Sequence, residues 1–470
     1  MPGVAAWEDD PHSSSAAEPV ERPVPVLTHP RLALSVVGRQ PPARVYLAGS
    51  AGFRYWSAAD SLARAVRFWS GAVGDGVRWH IGRPLVVDLD AGEDLNAYYD
   101  RQELCFFHAT VRGVDVYSGE SPDVLCHELG HALLDAIRPQ LWNAASIEVA
   151  SLHEAFGDIS AILSALALRS VREDVLAATS GRVSRASRVS RLAEQLGWAI
   201  RQSHPDAVDP DCLRNAVNSF FYCQPERLPP MAPASALSSE PHSFSRVFTA
   251  AWLESLAGMF AVRGTTEDAL AAAAADAGRL LGVAVGTARI ASSYFAQVAA
   301  GLLVADARLT DGEYRAAIRR AFVGRGILAM SSSAGVGDGG RPRGARRDER
   351  QRRALPTLEV PIDGRAYGLR LRRLLVEAPL GVTRWAAASA APDLGPLAAA
   401  SPELASRAFV EDLLRRGRVD TGSLDQHRTA VDRGGRTTHT LVREGRRVRL
   451  VRRRFHQRAA DRNAAGRQRP

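Results

Sequence analysis

The stretch Asp123-Val-Leu-Cys-His-Glu-Leu-Gly-His-Ala-Leu carries two histidines four positions apart, with a glutamate directly after the first. Four residues are just over one helical turn, so His127 and His131 project from the same face of a helix. Two imidazoles so placed can hold one Zn²⁺ at about 2.0–2.1 Å each, and Glu128 can reach a water at that metal. A metal lowers the pKa of such a water to about 7, and a neighbouring carboxylate can take its proton. The five residues alone also fit a surface helix that happens to bear two histidines and a glutamate.

A catalytic zinc site needs three protein ligands and an open position. The following stretch, Ser151-Leu-His-Glu-Ala-Phe-Gly-Asp-Ile-Ser, places Glu154 and Asp158 on one helical face. Glu154 on an adjacent antiparallel helix is a natural third ligand. Asp158 can accept a hydrogen bond from the free ring nitrogen of a ligand histidine and so fix its tautomer. The rivals fit less well. A third histidine spaced H-E-x-x-H-x-x-G-x-x-H fails, because Leu134 and Ile137 stand at the glycine and histidine positions. Glu148 has no acid four residues on, and His153 points elsewhere on its helix than Glu154.

The elements that must position these groups are readable from periodicity. Ser57 to Val73 reads as a helix with Leu62, Val66 and Trp69 on one face. Pro84 to Leu89 reads as a buried strand, and Leu104 to Val116 as one or two strands turning near Arg112–Gly113. Two strong helices are expected near 122–138 and 147–169, and helix or loop over most of 185–328. Farther on, strands are expected within Thr357–Glu377 around a turn at Asp363–Gly364. Pro402 to Arg416 reads as a helix opened by Ser401, and Thr438 to Phe455 as a hairpin turning at Glu444–Gly445.

The pair H-E-L-G-H and H-E-A-F-G-D-I resembles the thermolysin-like zinc metallopeptidases, in which H-E-x-x-H is followed by an E-A-x-x-D helix. The resemblance covers roughly residues 55–330. Asn96-Ala97-Tyr98-Tyr99 is similar to the family segment that forms an edge strand. There, the resemblance implies, the Asn96 side chain and the Ala97 carbonyl hold the peptide substrate. Leu213-Arg214-Asn215 resembles the segment whose arginine binds a substrate carbonyl. Pro241-His242-Ser-Phe-Ser-Arg resembles the segment whose histidine stabilises the tetrahedral oxyanion, which gives His242 a catalytic role beside Glu128. Read by type alone, Arg214 is one arginine among many, His242 could simply open a helix, and Asn96 could be a turn residue. The chain also departs from the family. The acid expected five residues before His242 is Leu237, and the nearest acid is Glu240. The tyrosine expected between the zinc helices has no clear match, with Trp142 lying in that region. Acidic calcium-binding clusters are not evident, so zinc is the one cofactor expected.

The fold expected is α+β, a two-lobe metallopeptidase domain with a small N-terminal sheet and a helical C-terminal lobe. Its boundaries are placed at 31–330, after a disordered segment over 1–30 rich in Ser, Pro, Ala and Glu. A Gly/Ser/Arg-rich linker follows over 331–354, then a small basic α+β appendage over 355–470 of unassigned role, with a partner of its own as one reading. A peptide or protein substrate is expected to add to the edge strand through backbone hydrogen bonds.

Composition bounds the alternatives. Of the 470 residues, 46% are hydrophobic and 24% charged, as in globular proteins. The net charge is +9, yet residues 431–470 hold 13 arginines and 3 acidic residues, so the rest of the chain sums to −1. Basic character therefore belongs to the tail, which argues against nucleic acid as a general partner. The alternating Arg and Val/Leu of Arg443–Arg454 reads as the solvated face of a half-buried strand. A zinc-retaining binding module without turnover, or a nucleic-acid-binding tail, are the alternatives to a peptidase. No run of about 18 apolar residues is expected to span a bilayer. The start of the chain has no basic and apolar leader pattern, from which a cytoplasmic location with four free thiols is expected.

Overall fold

The computed structural model describes residues 3–12, 18–330, 357–380, 401–424 and 437–456. The linker expected over 331–354 lies outside the described residues.

The N-terminal lobe is built on one long helix and a small mixed sheet. Helix α1 (Ala51–Ala72) starts at Ser50, whose hydroxyl accepts the Phe53 N–H, and buries Leu62, Val66 and Trp69. Strands β1 (Gly3–Ala6) and β2 (Val20–Pro23) pair antiparallel. Over the described residues 3–12 and 18–30 they run against the disorder expected there. Val4 and Ala6 are fully buried, and Trp7 packs edge-on against Phe53 of α1. Asp9 and Asp10 are also buried. Arg188 Nε donates to Asp9 at 2.6 Å, and the Gln195 N–H and the Ser121 hydroxyl donate to Asp10. A sparse apolar content hid this segment, because a few large side chains and buried polar bonds anchor it.

The sheet runs β3 (Leu34–Val36), β4 (Leu85–Asp88), β6 (Glu103–Phe106), β5 (Ala97–Tyr99) and finally β16 (Phe455–His456). The first three are parallel, whereas β5 and β16 run antiparallel to their neighbours. Beside it stands the hairpin of β7 (His108–Val111) and β8 (Val114–Tyr117). Its two turn residues, Arg112 and Gly113, both have positive φ, as a two-residue hairpin loop requires.

Two helices run through the centre of the molecule. Helix α2 (Pro122–Ile137) is capped by Ser121, with Pro122 in the first turn. Helix α3 (Ile147–Leu166) is capped by Ser146 and is buried along its whole length. They approach closely at two glycines. A methyl group on Gly130 would lie 2.8 Å from Gly157 Cα, and one on Gly157 would lie 2.7 Å from the His127 ring. Neither position has room for a side chain.

The helical lobe comprises α4 (Arg169–Thr179), α5 (Glu194–Arg201), α6 (Pro241–Arg263), α7 (Glu267–Thr287), α8 (Tyr294–Leu309) and α9 (Arg315–Gly324). A two-residue ladder of β9 (Arg191–Leu192) and β10 (Arg214–Asn215) interrupts it. Helices α3 and α7 are long and apolar enough to cross a bilayer by length and composition, contrary to the expectation that no segment is. The apolarity of α3 is that of a core helix, since no part of it reaches the surface.

The C-terminal region forms a second sheet in the order β11 (Thr357–Ile362), β12 (Leu374–Pro379), β15 (Arg447–Arg452), β14 (His439–Glu444), β13 (Val419–Asp420). The helix Pro402–Arg415 packs on it, capped by Ser401 as expected. The described residues of this region do not form a separate body. Its Val360, Leu374, Val376, Phe409, Leu450 and Phe455 belong to the same apolar core as α2 and α3. Backbone hydrogen bonds join it to the rest: Ala145 N–H to Glu377 O and Leu380 N–H to Ile290 O, each 2.7 Å. The hairpin expected over Thr438–Phe455 is present as β14 and β15, but Phe455 leaves it and joins the other sheet.

Candidate metal centre

Helix α2 presents His127 and His131 toward Glu154 of α3. His127 Nε2 lies 3.3 Å from Glu154 Oε2, and His131 Nε2 lies 3.7 Å from the same oxygen. Two donors on a tetrahedral zinc with bonds near 2.05 Å stand about 3.3–3.4 Å apart. The observed spacings suit one ion between them. The donors are also idle: His127 Nε2, His131 Nε2 and Glu154 Oε2 are buried and make no hydrogen bond. Buried polar atoms are nearly always paired, so three orphans aimed at one point mark a place for a cation. Glu128, beside His127, is fully buried, and both its carboxylate oxygens also lack a hydrogen-bond partner. His127, Glu128 and His131 bring a ligand atom each within 4.8 Å of one another.

Asp158, one turn after Glu154, holds the other side of His127. Its Oδ1 lies 2.9 Å from His127 Nδ1, which leaves Nε2 directed at Glu154. Arg214, from β10, forks onto the same carboxylate at 2.7 and 3.3 Å. Burial alone would raise the Asp158 pKa, but Arg214 and His127 hold it well below the usual carboxylate range. Burial would depress His127, yet its hydrogen bond to Asp158 and the Glu154 carboxylate facing its other ring nitrogen prevail and lift it to about 9. Burial lifts Glu128 to about 8, against the opposing charge of His127. His131 is driven well below its ordinary value by burial and by the charge of His127, so its imidazole is neutral.

His242, in the first turn of α6, brings Nε2 to 3.1 Å from Glu154 Oε2. Its Nδ1 lies 2.8 Å from Glu240, which also caps α6 through the Ser243 N–H. The acid that orients His242 therefore stands two residues before it, and Leu237 has no such part. His153 lies outside the ligand cluster. Its ring stacks on Phe455 at 4.1 Å, and neither ring nitrogen has a hydrogen-bond partner. Asn96 is buried, and its Oδ1 accepts the following Ala97 N–H. Ala97 pairs with Phe106 of β6, while the far edge of β5 is taken by β16: Tyr99 opposite Phe455 and Tyr98 opposite His456. Arg214 and His242 line a cavity of about 520 Å³ with Leu213, Met231 and Arg246.

Sequence reasoning did not single out Gly130 and Gly157, which let α2 and α3 meet. The signal was present, since each glycine sits inside one of the two metal-ligand stretches. It also assigned no role to Trp142. That ring meets Tyr99 and Phe455 edge-on, and its Nε1 donates to the Arg452 carbonyl at 3.0 Å.

The class that these features define is a protein with a buried His-Glu-x-x-His helix and an acidic partner helix, suited to a divalent metal. No family model matches the chain, and no curated protein matches it in sequence. Among solved structures, the precursor of protealysin, a metalloproteinase from Serratia proteamaculans, is similar at 17% identity. The match covers 62% of this chain and 84% of that chain, with a TM-score of 0.41. At that distance the likeness carries no argument about activity, which rests on the side chains themselves.

Proposed function

We propose that this chain is a zinc-dependent peptidase acting on peptide or protein substrates in extended form, with His127, His131 and Glu154 as the metal ligands. The observation that carries the reading is the convergence of three buried, partnerless donor atoms beside an equally partnerless Glu128. A zinc ion held there supplies a Lewis acid for the scissile carbonyl and makes a water acidic near neutral pH.

The chain's own groups divide the remaining work. Asp158 fixes the His127 ring so that Nε2 is the ligating atom. Glu128, buried and unhindered by any hydrogen bond, takes the proton of the attacking water and passes it to the leaving amine. His242 donates from Nε2 toward the developing oxyanion. Arg214 is anchored on Asp158 beside His127, where it adds positive charge to the wall of the cavity. The cavity offers room for substrate side chains.

Two measurements test the reading together. Elemental analysis of dialysed protein is expected to give about one zinc per chain, lost in a His127→Ala/His131→Ala double variant. Digestion of a proteome-derived peptide library is expected to give cleavage by wild type and none by Glu128→Gln, although that variant keeps its zinc. Zinc retained by the double variant, or equal digestion by Glu128→Gln, would sink it.

A further inference from the structure

The edge of β5 is the place where an extended peptide would add to this sheet, and the chain itself is already there. Phe455 pairs with Tyr99 and His456 with Tyr98, antiparallel, in the manner of an added strand. The Phe455 ring lies against His131 at 4.7 Å and His153 at 4.1 Å, both stacked, with Trp142 edge-on at 5.4 Å. Phe455 is 2% exposed. Where Glu154 and His242 meet Arg452 and Phe455, a cavity of only about 40 Å³ remains. That is room for about one water and not for a peptide.

The segment is held by bonds of a kind that a peptide ligand makes. Trp142 Nε1 donates to the Arg452 carbonyl at 3.0 Å, and the Arg452 N–H donates to Asn143 Oδ1 at 3.1 Å. The Arg454 guanidinium lies over the Tyr98 ring at 4.9 Å. Yet the fit contains a weakness. Arg452 is buried, its guanidinium lies over the Phe455 ring, and its Nε reaches only the Trp142 carbonyl, with no carboxylate in ion-pair reach among the described residues. Glu154 attracts it only from beyond ion-pair distance, and a buried charge so weakly balanced is costly. A segment that keeps this flaw is seated but not locked.

We propose that Arg452–His456 is an intramolecular ligand of the candidate cleft, occupying the edge strand and an aromatic-binding pocket beside His131, so that the cleft is closed until this strand leaves. Two consequences follow, and both rest on the peptidase reading of the site. The chain as folded is an inhibited form, and wild type cleaves only through the fraction of molecules from which the strand has left. The preferred partner of the opened cleft is an extended peptide with an aromatic side chain where Phe455 now sits, with basic residues before it.

The test uses the full chain. A fluorescein-labelled peptide of the sequence Arg-Arg-Arg-Phe-His-Gln is titrated into Glu128→Gln protein, with and without Phe455→Ala, and read by anisotropy. Removing the ring takes away most of the apolar contact of the segment, so the labelled peptide is expected to bind Phe455→Ala about tenfold or more tighter. A Phe455→Tyr protein, which keeps the ring, is expected to bind as weakly as the parent. The same peptide is then offered to proteins with Glu128 intact, and turnover is expected to rise with Phe455→Ala. Should Phe455→Ala not fold, Phe455→Leu keeps the bulk without the stacked ring and is expected to bind more tightly than the parent. Equal binding by the parent and the opened variants, or an improvement that Phe455→Tyr matches, overturns the proposal. Tighter binding without any turnover supports the intramolecular ligand and removes the peptidase reading alone.

Discussion

Asp158→Asn separates a site that is built from one that is merely near to hand. The carboxylate is 2% exposed, and it serves His127 at 2.9 Å and the two-toothed fork of Arg214. Asparagine keeps the shape but offers one acceptor and two donors. Whichever way the amide turns, its NH₂ faces either His127 Nδ1 or the guanidinium. If it faces the histidine, the ring is pushed to the tautomer with Nε2 protonated, and Nε2 can no longer ligate a metal. If it faces Arg214, two donors meet in a dry interior. In both cases Arg214 loses the charge that balances it. Breaking a buried pair by removing one partner costs about 3–5 kcal/mol. Losing the orienting partner of a metal-ligating histidine costs about 10–100-fold in metal affinity. Both should appear, the first in urea unfolding at pH 7 and the second in zinc competition against a chelator.

Acid provides a further check on Asp158. Its pKa is depressed in the folded state, so its contribution is present above the ordinary carboxylate value of about 3.9 and is lost as pH falls below it. The stability gap between wild type and Asp158→Asn should therefore narrow below about pH 4. Unchanged zinc affinity together with an unchanged unfolding midpoint at pH 7 would refute the reasoning.

Three further outcomes are expected. His242→Ala should lower kcat about 10²–10³-fold with little change in KM, and Glu240→Gln should do the same to a smaller degree; a change confined to KM would make His242 a ground-state contact. Gly157→Ala places a methyl group 2.7 Å from the His127 ring, so zinc content should fall while far-UV circular dichroism stays unchanged, and full zinc content would show that α3 yields. Glu148, buried and hydrogen-bonded by the Tyr222 hydroxyl and the Phe295 N–H, is pushed up to about 8 by burial. A raised folded pKa gives stability that is present below the unfolded value and lost as pH rises through the folded one. Glu148→Gln should therefore gain on wild type between pH 5 and 8, by at most about 1.4 kcal/mol per pH unit, and a flat difference across that window would contradict it.

Much of the site was legible because its chemistry is local. The spacing of His127 and His131, and of Glu154 and Asp158, follows from helical geometry, and each helix announces its start with a serine cap. Caps and turns such as Ser401 and Arg112–Gly113 were readable for the same reason. What escaped was decided between distant segments. Glu240 could be seen as the nearest acid to His242, but only the first turn of α6 shows that the two side chains meet. The burial of Asp9 and Asp10 depends on Arg188, Gln195 and Ser121, far along the chain. The C-terminal region looked separate because its strand and helix patterns are self-sufficient. Its attachment through Glu377, Leu380 and Phe455 leaves no periodic mark in the sequence. Phe455 reads as one more apolar residue of a hairpin until its strand is seen to change sheets.

The order of the strands has a consequence in time. β5 is made early, and the strand that covers it comes roughly 350 residues later. At ribosomal rates of about 5–20 residues per second, the half of the chain that carries the candidate metal centre waits roughly 20–70 s with that edge bare. An unpaired edge is a template for any other extended chain, including a second nascent copy. During this interval the protein is exposed to aggregation and, on the proposed peptidase reading, to cutting its neighbours. The arrival of Phe455 ends the exposure of that edge, so the two-residue strand proposed to shut the cleft also finishes the sheet.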